Sequence, residues 1–357
     1  MVFRKGGRLR QNEYWLYNWI NIDVVDDFNY LGIVFNYNGS FNRNQQLIMG
    51  KALKAMNILF YNTKEFDLSY KTMCQLFDSF VSSIMNYASE VCGFYKMKDI
   101  ERVHMKFCKR LLGVKLSTCN AGVYGDLGRY PLFICRYMKI LKYWFKIISS
   151  NNCIIKANYD SLVCNLEKGH VNWASRVKHL LCEYGFAYVW ERPHNVCVKS
   201  FLITFKQKMV DVFHQSWISE IERSQVLTLY KEIKVSISYE PYLYLCHKRS
   251  YVKLLTQLRL SAHSICIQTG RYGRNRVERQ NRLCNICDSG DVEDEFHFIL
   301  KCKRYMIVRK RYINEFYYKR ASMFKLCQLF KSTDKYVLNN LACYIKCAMK
   351  IRSNLIN

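Results

Sequence analysis

Proline and glycine are scarce, 3 and 15 residues in a chain of 357. A barrel or sandwich built from many tight turns would need more of both, so a mostly helical fold is expected. Acidic residues are also few, 28 against 55 lysines and arginines, which leaves a formal net charge of +27. Long apolar runs are missing. The greasiest stretch, Leu132 to Ile148, is interrupted by Arg136, Lys139, Lys142 and Lys146, so no membrane span is expected. Neither a Gly-rich phosphate loop nor a Ser-His-Asp grouping with supporting context is visible. The opening Met1-Val2-Phe3-Arg4-Lys5-Gly6-Gly7 carries no apolar stretch of the kind that directs secretion.

Hydrophobic residues make up 50% of the chain and aromatics 15%, which suits a real core and excludes a disordered basic tail. So much like charge opposes folding unless an anion lies alongside, and nucleic acid, RNA or DNA, is the leading candidate. The alternative is a basic protein that is merely soluble. The 17 cysteines are spread from Cys74 to Cys347, mostly singly, and their number is odd. Reduced thiols in a nuclear or cytoplasmic protein, not a secreted one, are expected.

Periodicity divides the chain. Residues 1–42 contain the one β-rich run, Phe28, Tyr30, Ile33, Phe35 and Tyr37, with Asn38-Gly39 as the expected hairpin turn. Residues 43–150 switch to a helical period. Ile48, Ala52, Ala55, Met56 and Leu59 make one stripe, and Met73, Leu76, Phe77, Phe80, Val81, Ile84 and Ala88 a second. Ile100, Val103, Phe107 and Leu111 form a third, ended by Gly113. In the fourth, Phe133, Ile140, Trp144 and Ile148 share a face widened by Leu141 and Phe145. Residues 151–255 read as a helical connector with a packed helix at Trp173, Val177, Leu180 and Leu181. Residues 256–305 carry an arginine-rich loop and a cysteine–histidine cluster, and 306–357 a helical tail.

The third and fourth helices each expect a cationic face, Arg102, Lys106, Lys109 and Arg110 on one, Arg136, Lys139, Lys142 and Lys146 on the other. Such faces are either solvated or set against phosphates, where each cation releases a condensed counterion. Beyond Gly270, Arg271, Arg274, Arg276, Arg279 and Arg282 crowd a loop, and arginine at this density suits forked phosphate contacts and base stacking. Asp288, Asp291, Glu293, Asp294 and Glu295 follow; pairing with those arginines is the plain alternative.

Cys284, Cys287, His297 and Cys302 have the spacing Cys-x2-Cys-x9-His-x4-Cys. Three thiolates and an imidazole complete a tetrahedral zinc set and leave no open position, so a structural site is expected. A Cys-x2-Cys pair alone means little here, since about 0.8 would arise by chance, but the added His-x4-Cys lowers the expectation to roughly 0.02. Asp26-Asp27 looks like the paired aspartates of a polymerase turn, yet a two-metal site needs a further aspartate from an upstream strand, and only Glu13 and Asp23 precede the pair. No catalytic residue is expected.

Several phrases resemble the C-terminal part of the reverse transcriptase protein of non-LTR (LINE-type) retrotransposons. They include Phe28-Asn29-Tyr30-Leu31-Gly32-Ile33, Lys51-Ala52-Leu53-Lys54-Ala55 and Ile100-Glu101-Arg102-Val103-His104. Gly125-Asp126-Leu127-Gly128-Arg129-Tyr130-Pro131-Leu132, Asn172-Trp173-Ala174, Leu258-Arg259-Leu260-Ser261 and Glu293-Asp294-Glu295-Phe296-His297-Phe298 extend the likeness over nearly the whole chain. The resemblance implies a β-hairpin remnant of a polymerase palm, a helical thumb that tracks template and primer, and a CCHC zinc knuckle. It also implies that the polymerase aspartates lie upstream of the Tyr30-Leu31-Gly32 phrase, so magnesium would act only in a full-length parent. Ala88 and Cys92 depart from the family pattern, which has glycine and tryptophan there. The expected function is nucleic-acid binding without catalysis, with the upstream polymerase region as a further partner. An active RNA-directed DNA polymerase completed by that region, and an inert transposon remnant, are the alternatives.

Overall fold

The computed structural model describes residues 2–3, 14–94, 98–272 and 276–356. Among them the chain is mostly helical, and its sheets are two small antiparallel hairpins near the N-terminus. In the first, β1 (Leu16–Tyr17) pairs with β2 (Ile20–Asn21); in the second, β3 (Asp27–Tyr30) pairs with β4 (Ile33–Asn36). The turn of the second hairpin is Leu31-Gly32, not Asn38-Gly39. A two-residue turn of type I′ needs positive φ at both positions, and Leu31 and Gly32 have φ of 48° and 81°. Asn38-Gly39 instead redirects the chain after β4, where the Gly39 amide donates to the Asn36 carbonyl at 2.9 Å.

Helices dominate the rest of the described chain. α1 (Asn42–Asn62) buries Ile48, Ala52, Met56 and Leu59, as its stripe requires. α2 (Tyr70–Leu76) runs into a π-helical turn, Phe77–Val81, which leads into α3 (Ser82–Met85) and then α4 (Ser89–Cys92). The wide turn advances the helical phase, so the buried set becomes Met73, Phe77, Val81 and Met85 while Phe80 is 61% exposed. The expected place of Phe80 in the core is therefore corrected. α5 (Lys98–Leu112) ends at Gly113, whose φ of 68° lets the chain leave in the left-handed conformation. α6 (Asn120–Leu127) and α7 (Leu132–Ile148) are separated by Gly128 at φ 62°. Next come α8 (Cys153–Glu167), α9 (Trp173–Glu183), α10 (Ala187–Glu191) and the long α11 (Val198–Arg223). The remainder is α12 (Thr228–Ile233), α13 (Tyr242–Leu245), α14 (Arg249–Arg259), α15 (Cys266–Thr269), α16 (Met306–Tyr312), α17 (Glu315–Tyr318), α18 (Met323–Phe330) and α19 (Lys335–Ile356). No described helix is long and apolar enough to cross a membrane.

These elements form two compact units interleaved along the sequence. Met1–Leu68, Thr72–His104 and Pro131–Met209 make the first; Ser69–Lys71, Met105–Tyr130 and Val210–Asn357 make the second. The core of the first unit is aromatic. Trp144 stacks on Trp190 with ring centroids 5.6 Å apart, and Phe145, Phe186 and Phe205 surround Phe201.

The second unit is organised around a buried ionic network. Arg259 grips the Asp126 carboxylate with two nitrogens, each at 3.0 Å, and both side chains are almost wholly buried. Tyr242 and Tyr230 donate to the same carboxylate at 2.7 and 3.1 Å, and Glu240 meets Arg259 at 2.8 Å. Lys234 in turn pairs with Glu240, so the charges balance at two of each sign. The segments around Asp126 and Arg259 thus meet in space although 133 residues separate the pair. Close approach depends on glycine: a Cβ at Gly125 would lie 2.3 Å from the Tyr230 hydroxyl, and one at Gly122 would lie 2.6 Å from Leu260.

Candidate metal centre and cationic surface

Cys284, Cys287, His297 and Cys302 each offer one ligand atom, and these atoms all lie within 4.8 Å of one another. The local chain explains the convergence. Residues 282–284 and 291–293 run antiparallel, tied by Cys284 N to Asp291 O at 2.9 Å and Glu293 N to Arg282 O at 2.9 Å. Between them the chain bends through Cys287, whose sulfur lies 3.2 Å from the Ser289 hydroxyl, and through Gly290 at φ 71°. The Asp294 carboxylate accepts from the His297 amide at 2.8 Å and starts a π-helical turn, His297–Lys301. That turn closes with the Cys302 amide donating to the His297 carbonyl at 2.8 Å, which brings both side chains to the same place.

The distances suit a small tetrahedral ion. Zinc–sulfur bonds of about 2.3 Å imply ligand–ligand edges of about 3.8 Å. The Cys287 sulfur and His297 Nε2 stand 3.3 Å apart. On the other side of the ring, Nδ1 of His297 lies 3.5 Å from the Asp291 carboxylate, the position from which a carboxylate orients a metal-bound imidazole. Burial pushes the Cys284 thiol up and the Cys302 thiol to about 12, and it lowers His297. For Cys287, burial is outweighed by hydrogen bonds from Ser289 and the neighbouring thiols, and its pKa falls. Three thiols and an imidazole whose ligand atoms converge this closely could hold a metal ion.

Residues that the sequence did not single out hold this centre in place. Buried Arg309 donates to the Ile299 carbonyl at 2.6 Å and to the Cys302 carbonyl at 3.0 Å, fixing the end of the π-turn. Tyr344 on α19 donates to Phe298 O at 2.6 Å, and Arg352 clamps Glu293 at 2.8 and 2.7 Å. Glu293 also receives the Cys266 amide at 2.7 Å. Glu295 lies 2.8 Å from His263. Pairing of these two acids with the loop arginines is thus replaced by bonds to α19 and to His263. Arg352 stands furthest from sequence logic, since nothing local marks a tail arginine as the partner of an acid 59 residues away.

The cationic residues are split. Lys106 and Arg110 on α5 are exposed, as are Lys142 and Lys146 on α7, while Arg102 is exposed and paired with Asp99 at 2.7 Å. Lys109 and Arg136 are corrections: both are buried, at 6% and 2% exposure. Lys109 bends back to the Leu116 carbonyl at 2.7 Å, and burial lowers its pKa. Arg136 falls on the packed side of α7 between Ile134 and Tyr137, and burial lowers its pKa too. Lys139 is half-buried and donates to Asn86 O at 3.1 Å. In the arginine-rich loop, Arg276 and Arg279 are exposed, whereas Arg271 donates to Gln225 O at 2.6 Å and Arg282 to Val277 O and Ile267 O, both at 2.9 Å. Arg274 lies outside the described residues.

The Asp27 side chain takes part in the second hairpin. Its carboxylate accepts from Asn36 at 2.9 Å and pairs with Arg43. No protein-family model, curated protein or solved structure matches the chain.

Proposed function

We propose that the chain is the nucleic-acid-binding C-terminal part of a non-LTR retrotransposon reverse transcriptase, with no catalysis of its own and with one structural zinc at Cys284, Cys287, His297 and Cys302. The observation that carries the binding is exposed positive charge without acidic partners, on α5 in the second unit and on α7 in the first. Lys106, Lys142 and Lys146 are exposed and form no ion pair among the described residues of a chain with net charge +27. Phosphate backbones of RNA and DNA are the polyanions such lysines serve, by counterion release and without sequence preference. The cluster of potential metal ligands supports the reading, because a zinc there would staple a segment with few large apolar residues. The family resemblance supports it, because the phrases that carry it resemble the C-terminal part of those proteins.

The test is a salt titration of binding to a single-stranded RNA and a duplex DNA, with wild type and the Lys106→Ala, Lys142→Ala, Lys146→Ala variant. The variant should bind both more weakly, and its log–log salt slope should be shallower by roughly 0.7–0.9 for each phosphate that it no longer neutralises. An unchanged slope would remove these lysines from the interface. Absence of binding by wild type at low salt would overturn the proposal.

A further inference from the structure

A cavity of about 640 Å³ in the second unit is walled by the turn after α11, the start of α12 and the arginine-rich loop. Six cationic side chains line it: Arg223, Lys231, Arg271, Arg276, Arg279 and Arg282. Only Glu222 and Glu278 oppose them, and Glu278 already accepts from Gln280 at 3.1 Å. Among the described residues none of the six cations forms an ion pair.

The site is partly built in advance. The backbone carbonyls that Arg271 and Arg282 bond fix both guanidinium groups in the wall. Arg271 Nε is buried with no acceptor among the described residues. Arg223, Lys231, Arg276 and Arg279 are exposed and free to close on a ligand. Like charges held this near one another repel, and burial together with Arg282 and Arg279 lowers the Arg271 pKa. Such crowding is relieved by a multivalent anion.

The shape restricts which anion. A volume of this size belongs to small-molecule pockets, and a duplex does not enter it. An internal phosphodiester brings a single charge. A terminal phosphate monoester brings nearly two charges and three acceptor oxygens, and planar guanidinium forks match those oxygens in pairs. We propose that this cavity binds the terminal phosphate, or a short polyphosphate, at the end of a nucleic-acid strand. The proposal rests on nucleic acid as the ligand; the phosphate chemistry of the pocket itself is argued from its own lining.

The experiment compares one single-stranded oligonucleotide bearing a 5′-phosphate, a 3′-phosphate or hydroxyls at both ends, with inorganic pyrophosphate as competitor. Wild-type protein should bind a phosphorylated form about tenfold tighter than the hydroxyl form. Pyrophosphate should abolish that preference while leaving the weaker binding. The Arg276→Ala, Arg279→Ala variant alters exposed side chains only; it should lose the preference and keep the binding of the hydroxyl form. The Arg276→Lys, Arg279→Lys variant should recover only part of the preference, since an ammonium cannot fork. Equal binding of all three oligonucleotides by wild type overturns the pocket and leaves nucleic-acid binding standing. Pyrophosphate binding, lost in the alanine variant, with no oligonucleotide bound would uphold the phosphate chemistry and overturn the strand end as its source.

Discussion

Replacing Asp126 by asparagine leaves the Arg259 guanidinium buried without its main carboxylate. Arg259 is 1% exposed and Asp126 0%, so neither charge can turn to water. Removal of one partner from such a pair costs about 3–5 kcal/mol. Asp126→Asn should fall near the lower end, because Glu240 still meets Arg259 at 2.8 Å. Arg259→Met should fall near the upper end, because Asp126 keeps only the hydroxyls of Tyr242 and Tyr230. The double variant removes both charges and leaves Lys234 paired with Glu240, so its loss should be smaller than the sum of the two by about 2–3 kcal/mol. Urea unfolding followed by the fluorine resonance of fluorotryptophan at Trp217 reads this unit selectively. The Trp217 indole donates to the Ala121 carbonyl at 2.8 Å, within the same unit. Single variants that each cost under about 1 kcal/mol, or a double variant that is simply additive, would refute the network as the organiser of this unit.

Ala88→Gly should stabilise the first unit by about 1 kcal/mol, because Ala88 sits at φ 50° and only glycine adopts that conformation without steric cost; an unchanged urea midpoint would count against it. Gly125→Ala should destabilise by several kcal/mol, since the new methyl would sit 2.3 Å from the Tyr230 hydroxyl and 2.8 Å from the Trp217 ring, with a midpoint within error of wild type as the contrary result. Arg352→Met should cost about 3 kcal/mol by leaving buried Glu293 with the Cys266 amide but no cation, and should loosen the 282–293 segment in hydrogen exchange before the aromatic core of the first unit. The purified chain with magnesium should not extend a primer; extension abolished by Asp26→Ala and Asp27→Ala would contradict that.

Much of the fold could be read from residue spacing. Ile48, Ala52, Met56 and Leu59 face inward because the α-helical period holds through α1. The same rule fails at Phe80, where one π-turn changes the period and no residue in Phe77–Val81 announces it. Charge is legible as a count but not as a direction. Lys109 and Arg136 carry long stems that cover apolar surface while their heads are drawn indoors, so cationic residues on one helix need not share a solvent face. The four metal ligands were legible because their chemistry demands both residue type and spacing. Their supports, Arg309, Tyr344 and Arg352, were not, because backbone carbonyls and distant acids select them only after folding. Asp126 and Arg259 stood out as phrases, yet nothing in either phrase specifies the other.

The arginine-lined cavity and the tail helix both adjoin the segment that Cys284, Cys287, His297 and Cys302 would close, so metal content is the most direct measurement. Elemental analysis of protein purified without chelator should find about one zinc per chain, lost in the Cys284→Ser, Cys287→Ser variant. Protein with less than about 0.2 zinc per chain, yet ordered through residues 283–305, would contradict the account and leave these cysteines as ordinary core residues.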